Sequence, residues 1–295
     1  MEDLERLQSR LNNIRTVEPI LDAMQTISTG NWQLALRQQS QLAAYREQLL
    51  AVLPALQAQL ALPRRQIPDA ASSARRCAVL AIGAERGLCG NFNNSLVMHI
   101  GDYFKVRQQE LCEVELLALG GRLVRLIRRR NWPTAWTGSL SVTALPGFAI
   151  AQDLTRRCLA DYEARRVDAV DVIYNAYRKP GLYVTTTVRW LPPEWPTVSH
   201  ELPWPPPIVE TDPFSLYTRI LEQWITLHLY QLLLDSATAE HSARLQLMEA
   251  ATQNSERLIA ELTQLIQSAR KQAITQEMQE LAAGAGLITG PVRIE

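Results

Sequence analysis

The sequence predicts an α/β fold in which two long terminal helices, paired with each other, flank an inserted sheet domain. Three observations carry this. Residues 212–285 hold no proline after Pro213 and no glycine before Gly284, and apolar residues recur at three- and four-residue steps: Leu216, Ile220, Trp224, Leu227, Leu234, Leu245, Met248, Leu258, Leu262, Leu265, Ala269. A second stripe, Leu4, Leu7, Leu11, Ile14, Leu21, Met24, Ile27, Leu34, Leu42, Tyr45, Leu49, Val52, Leu56, Leu60, runs near the other end. Between them the texture changes to short apolar runs alternating with amphipathic segments.

The C-terminal helix would be about 110 Å long at ~1.5 Å per residue, far beyond an ordinary globular helix, so it needs a partner along much of its length. The steps of the N-terminal stripe average about 3.5 residues, the period of a left-handed coiled coil. Periodicity alone fits two separate bundle helices equally well. The arrangement along the chain favours pairing, because everything between the helices is a different kind of sequence.

In chain order, residues 1–61 form the N-terminal coiled-coil helix. Pro19 sits inside its pattern and predicts a kink or break near residues 16–18, since proline removes a helical donor and costs roughly 3 kcal/mol. Gly30 and Asn31 weaken the same half. Residues 62–76, polar and bearing proline and serine, read as a linker. Residues 77–192 form the inserted domain. CAVLAIGA (77–84) and VELLALGG (114–121) are buried strands, each followed by a helix, the first from about Asn93. A short extended piece falls within 132–140, a third helix at 151–166, and two more strands at 167–178 and 182–192 with a Pro180-Gly181 turn. That order indicates a mainly parallel sheet. Residues 193–212 are a proline-rich connection. Residues 213–287 form the C-terminal coiled-coil helix, capped by Thr211 or Asp212 with Pro213 in its first turn. Residues 288–295 extend beyond it.

Composition bounds the function. The 295 residues are 47% hydrophobic and 20% charged, which suits one or two folded domains. Thirty basic residues balance thirty acidic ones, so no global charge points to nucleic acid or membrane. The charged start MEDLERLQSR does not read as a signal peptide. No run reaches the about 18 apolar residues of a membrane span. Cys77, Cys89, Cys112 and Cys158 lack a C-x-x-C pair and read as reduced thiols of a cytosolic protein. His99, His200, His228 and His241 show no ligand spacing, so no metal is expected.

Three segments then narrow the field: AERGLCGNFNNSL (84–96), ARLQLMEAATQNSERLIAEL (243–262) and ARKQAITQEMQELAAGAG (269–286). Together they strongly resemble the γ subunit of F-type ATP synthases, and RLNNIRTVEPILDAM (10–24) is similar to that family's first helix. The ends match closely and the middle by pattern, so nearly the whole length is covered. The resemblance implies an antiparallel coiled coil with an inserted Rossmann-like domain. It also implies the role of central-stalk rotor, turning inside a ring of α and β subunits and transmitting torque to and from an ion-driven membrane ring. Partners implied are the α and β subunits (α3β3), the ε subunit and the membrane c-ring, with no nucleic acid and no cofactor. The location implied is peripheral, on the cytoplasmic face of a bacterial membrane.

Carried onto matching positions, the family motifs make Met24, Arg86, Cys89, Arg244, Met248, Arg270, Thr275, Gln276 and Glu277 the candidate partner contacts. Arg270, Thr275 and Gln276 best suit polar contact with a β-subunit loop. Without the resemblance, residues 270–277 read simply as a solvated helix face. The C-terminal helix exceeds the other by about 17 residues, roughly 25 Å, so in an antiparallel pair its small, apolar last turns project alone. The chain also departs from the pattern. Pro19 and Asp22 replace usual lysines, and Glu249 stands where lysine is usual. Gln253 stands where aspartate is common, and Asn91 replaces the second glycine of R-G-L-C-G-G. These changes mark a divergent γ, as from an alternate operon whose α and β subunits changed with it.

Other motifs are weaker. G-L-C-G lacks the G-K-[ST] of a phosphate loop. Ala118 to Gly121 lack G-x-G-x-x-G and read as a tight turn. Arg122, Arg125, Arg128, Arg129 and Arg130 make a basic helix that reads as a solvated surface or as one facing anionic lipid or acidic rotor loops. No catalytic triad or paired-carboxylate site can be argued, so no catalytic residue is expected. Two other readings stay open: a non-rotating coiled-coil adaptor with an α/β head, and a small α/β enzyme using Cys89, whose place at a helix N-terminus would lower its thiol pKa.

Overall fold

The computed structural model describes residues 2–59, 75–193 and 210–284. The expected linker and proline-rich connection lie almost wholly outside these residues, and the extension 288–295 does so entirely. The elements are α1 (Glu2–Gln59), β1 (Arg76–Ile82), α2 (Phe92–Gln109), β2 (Glu113–Leu119), α3 (Gly121–Arg129), β3 (Trp136–Gly138), α4 (Phe148–Glu163), β4 (Ala169–Lys179), β5 (Leu182–Leu191) and α5 (Pro213–Gly284). The chain divides into two compact units: Met1–Thr26 with Met248–Glu295, and Ile27–Leu247.

In the larger unit a five-stranded sheet has the order β3-β2-β1-β4-β5. The pairs β1–β2, β1–β4 and β2–β3 are parallel, and β4–β5 is an antiparallel hairpin. Alternation along the strands feeds two cores. Ala78, Leu80, Ile82, Leu117, Leu119, Val170 and Val172 face α4 and α5 residues such as Leu154, Trp224, Leu229 and Leu233. Val79, Ala81, Leu116, Ala118 and Ile173 face α2 and α3 through Phe92, Leu96, Ile100, Leu123 and Ile127. Both faces are covered, which is why β1 reads as a continuous apolar run.

Also in this unit, Leu56 packs near Ile220, and Leu42 with Leu227 and Leu234. Gln39 donates to the Thr238 hydroxyl at 3.0 Å. Partner numbers rise along α5 as they fall along α1, so the helices run antiparallel. In the smaller unit Leu11, Leu262 and Ile266 form a core with Leu4, Leu7, Ile14 and Ile259 around them, again antiparallel.

The burial pattern sharpens the predicted stripes. Along α1, Ser28, Ala35, Leu42 and Leu56 are buried, and along α5, Ile220, Leu227, Leu234, His241, Met248, Ser255 and Leu262 are buried. Each series steps by sevens, or twice seven from Leu42 to Leu56. Ile27, Leu34, Tyr45, Val52 and Leu265, expected in the stripes, are instead more than 40% exposed. Along α1 a seven-residue repeat leaves a narrow seam, and Ile27 and Leu34, one step off it, face water, whereas α5 from Trp224 to Arg244 is buried more broadly because it also packs on the sheet.

Pro19 does not break α1, which is continuous from Glu2 to Gln59. Pro19 and Arg15 both lie on the exposed face. The Arg15 carbonyl, which proline deprives of its helical donor, is therefore open to water, and the loss is moderate. At the start of α5, Asp212 is the cap: its carboxylate accepts from the Ser215 amide at 2.8 Å and the Ser215 hydroxyl at 2.7 Å. Those bonds hold its carboxyl below the usual range.

Candidate partner interface

The expected contact residues fall in both units. Arg86, Cys89 and Arg244 belong to the larger unit and Met24, Met248, Arg270, Thr275, Gln276 and Glu277 to the smaller.

In the larger unit, β1 runs into the R-G-L-C-G loop. Gly83 is required there, because a Cβ would lie 2.5 Å from Leu123 Cβ and 2.8 Å from Asn93 Oδ1. The helix expected from about Asn93 begins at Phe92, and the Asn93 side chain braces the loop. Its Oδ1 accepts from the Ala84 amide at 3.0 Å, and its Nδ2 donates to Cys89 Sγ at 3.7 Å. Glu85 turns inward, and its Oε2 accepts from the amides of Gly121 and Leu140, both at 2.8 Å. That carboxylate occupies the N-terminus of α3, where a phosphate would sit in a dinucleotide fold. In a doubly wound sheet a ligand crevice opens where the strand order switches, here between β1 and β4. This chain fills that place with itself: buried Asn175 donates to the Phe92 carbonyl at 2.9 Å and accepts from Thr185 Oγ1 at 2.6 Å.

The loop therefore presents Arg86 and Leu88 outward. Leu88 is 55% exposed and sits at φ 61, a left-handed conformation that leucine seldom adopts. Sequence reading passed over Leu88, since the motif's cysteine drew attention and no pattern marks a left-handed leucine. Cys89 faces inward and is 2% exposed. Burial, then the Glu240 charge, pushes its thiol up to about 11. Desolvation thus outweighs the helix N-terminus, and the chemical ground for a Cys89 nucleophile is absent.

Arg244 of α5 is also buried, ion-paired with Glu240 and 3.3 Å from His241 Nδ1. Burial raises the Glu240 carboxyl while the Arg244 charge lowers it, and the raise prevails. Burial, then the Arg244 charge, lowers His241 to about 4, so it is neutral near pH 7. Two further bonds join α5 to the β4–β5 hairpin: Gly181 N to Ser242 Oγ at 2.7 Å, and Gln246 Nε2 to the Pro180 carbonyl at 3.2 Å. Trp190 Nε1 donates to the Ile225 carbonyl at 3.1 Å. Within this unit the long helix and the sheet are fastened at several points.

In the smaller unit Met248 is buried and Met24 half-buried, while Asp22 and Glu249 are exposed. From Arg270 to Glu280 every residue is exposed. The polar groups there bond only along the helix: Thr275 Oγ1 to the Lys271 carbonyl at 2.8 Å, and Gln276 Nε2 to Glu280 at 3.1 Å. Ile274, Met278 and Leu281 form an apolar stripe at helical spacing, 57%, 66% and 73% exposed. The sequence predicts that the apolar last turns of this helix project alone; its candidate contacts name the polar residues of the stretch and not Ile274, Met278 and Leu281 individually.

Among the described residues no group of three His, Cys, Asp or Glu side chains is placed to share a metal ion, and no helix is long and apolar enough to cross a membrane.

A family model described as ATP synthase matches residues 3–286. The ATP synthase gamma chain of Rubrobacter xylanophilus is 29% identical over 293 residues, covering 97% of this chain and 98% of its own. That of Syntrophobacter fumaroxidans is 27% identical over 297 residues, covering 97% and 98%. Among solved structures, a chain of the Euglena gracilis mitochondrial ATP synthase matches 100% of this chain and 99% of its own at 12% identity, with a TM-score of 0.62. A chain of the Tetrahymena thermophila mitochondrial ATP synthase central stalk and c-ring matches 79% and 99% at 17% identity, with a TM-score of 0.56. At these identities the structural matches speak to the fold.

Proposed function

The chain belongs to the ATP synthase family, alongside its γ chains, and from that premise we propose that it is the central-stalk rotor subunit of an F-type ATP synthase. It transmits torque between the membrane c-ring and the catalytic α3β3 hexamer, and it carries no catalytic residue of its own. With the ε subunit it sits peripherally on the cytoplasmic face of a bacterial membrane. The observation that carries this reading is the bare C-terminal end of α5, exposed on all sides from Arg270 to Glu280 with an apolar stripe through Ile274, Met278 and Leu281. A helix end of that kind suits an apolar sleeve supplied by other subunits. The fastenings between α5 and the sheet suit a body that must turn without slipping.

Arg86 and Leu88 on the exposed loop, with Arg270, Thr275, Gln276 and Glu277 on the bare end, are the direct contacts of this reading. In this reading Cys89, Arg244 and Met248, which are buried, are packing residues and not direct contacts. A rotor visits three β subunits in turn, so no single contact can be permanent. The test is a disulfide between Leu88→Cys and a cysteine placed in the lower lobe of β, formed in the intact complex. Oxidation is expected to stop multi-turnover ATP hydrolysis and reductant to restore it, while a complex lacking Leu88→Cys is unaffected. Hydrolysis continuing at the uncrosslinked rate, with the cross-link formed in high yield, overturns the rotor and favours a static adaptor.

A further inference from the structure

The four cysteines look scattered in sequence, but two of them meet. Cys112 Sγ lies 2.8 Å from Cys77 Sγ, although the residues are 35 apart in the chain. Both are reduced, and they share a small apolar cluster with Ala169. The backbone fixes this meeting from both sides. Cys77 is held in β1, in register with Val114 of β2 and Ala169 of β4. Cys112 is held by its amide, which donates to the Arg107 carbonyl at 3.0 Å. Cys89 and Cys158 lie in two other cores, apart from this cluster.

We propose that Cys77 and Cys112 form a redox-modifiable dithiol that closes to an intramolecular disulfide when it meets a low-molecular-weight disulfide such as oxidised glutathione. Cys112 is the thiol that is attacked through. It is 8% exposed against 1% for Cys77, and it follows Leu111, which is 87% exposed at φ 54 on the surface turn after α2. Burial, then the neighbouring Cys112, pushes the Cys77 thiol up to about 12, which makes Cys77 a poor first nucleophile.

The electrons balance. The Cys112 thiolate attacks one sulfur of oxidised glutathione, forming a mixed disulfide and releasing one glutathione thiolate. Cys77 then attacks Cys112 Sγ, the mixed disulfide breaks, and the second glutathione leaves. Two protein thiols are oxidised, one disulfide is reduced to two thiols, and the two protons pass to the departing glutathiones. The bond would staple the start of β1 to the start of β2. The segment between them carries α2 and the loop that presents Arg86 and Leu88, so the staple lowers the freedom of that segment.

The experiment uses the full chain, reduced and then incubated with oxidised glutathione. Free thiols are alkylated under denaturing conditions, and peptides are mapped by mass without reduction. The expected result is loss of two of the four thiols, with a Cys77–Cys112 linked peptide two hydrogens lighter and Cys89 and Cys158 alkylated. Deuterium uptake across residues 83–112 should slow, and dithiothreitol should reverse both changes. In Cys77→Ser the glutathione adduct should persist on Cys112, and in Cys112→Ser no adduct should form at Cys77. A persistent adduct on Cys112 in the unmodified chain overturns the proposal, as do links only between separate molecules. So do four free thiols after incubation in urea just below the unfolding transition, where access is assured.

Discussion

The Gly181 amide donates to the Ser242 hydroxyl at 2.7 Å, joining the tip of the β4–β5 hairpin to the middle of α5. Gly181 sits at φ +69, and a Cβ there would overlap the Gln246 carboxamide. Gln246 can swing away, so the backbone conformation sets the cost. Gly181→Ala should destabilise the protein by about 1–2 kcal/mol, and Ser242→Ala, which leaves the amide unpaired, by a similar amount. Urea unfolding of both single variants and the double variant checks this. No loss of stability in Ser242→Ala would mean that the bond does not fasten hairpin and helix.

Asp171 is the most heavily engaged carboxylate of the sheet. It is 1% exposed, accepts from Tyr103 Oη at 2.7 Å and from Arg107 at 3.0 Å, and pairs with Arg189. Burial, then the Asp171 charge, raises the Tyr103 hydroxyl well above its ordinary value, so it remains a donor. Asp171→Asn should cost about 3 kcal/mol, because it removes the carboxylate charge from Arg189 and one of the two carboxylate partners of Arg107, which keeps Glu110. Tyr103→Phe should cost about 1 kcal/mol. Thermal and chemical unfolding read both, and an Asp171→Asn loss no larger than that of Tyr103→Phe would contradict the ion pairs' role.

His228 and His241 are each lowered to about 4, by burial first and then by Arg46 and Arg244 respectively. Both are neutral in the folded chain at pH 7, whereas the unfolded chain takes up protons below about pH 6.5. Between about pH 6.5 and 4 the unfolded state binds more protons, so stability falls as pH falls, by a few kcal/mol in all, and levels off below about pH 4. The Glu240 carboxyl, raised above its ordinary value, works the other way, since it favours the folded state as acid is added. Urea midpoints from pH 7 to 4 measure the sum. His228→Phe, which replaces a ring 5.9 Å from Trp224, should remove part of the slope. An unchanged slope would show that His228 is already protonated in the folded chain.

The bare end of α5 should be the softest described part of the isolated chain. Amides beyond Ile266 lack the α1 partners that Leu262 and Ile266 have. They should exchange within the fast range of a marginal helix, while β1 and β4 exchange slowly. Ile274→Ala and Leu281→Ala should change the stability of the free chain by less than about 0.5 kcal/mol, yet weaken its assembly with the hexamer. Uniform strong protection from Leu216 to Leu281 in the free chain would refute this.

The sequence by itself determined the elements. Two unbroken apolar periodicities specify long helices, and the buried runs at 77–84 and 114–121 specify parallel strands, because side chains must find an apolar face at the period of their own backbone. The excess length of α5 was legible too, with 72 residues against 58 in α1. Tertiary structure alone decided which residues of each stripe form the seam. Ser28 and Ala35 are buried while Ile27 and Leu34 are exposed, since hydrophobicity ranks residues and only a facing partner selects them. It also decided that Pro19 is tolerated on a wet face, and that Cys89 turns inward while Leu88 turns out. The meeting of Cys77 and Cys112 depends on the register of β1 with its neighbours. A spacing of 35 residues encodes no distance until a sheet brings its two ends together.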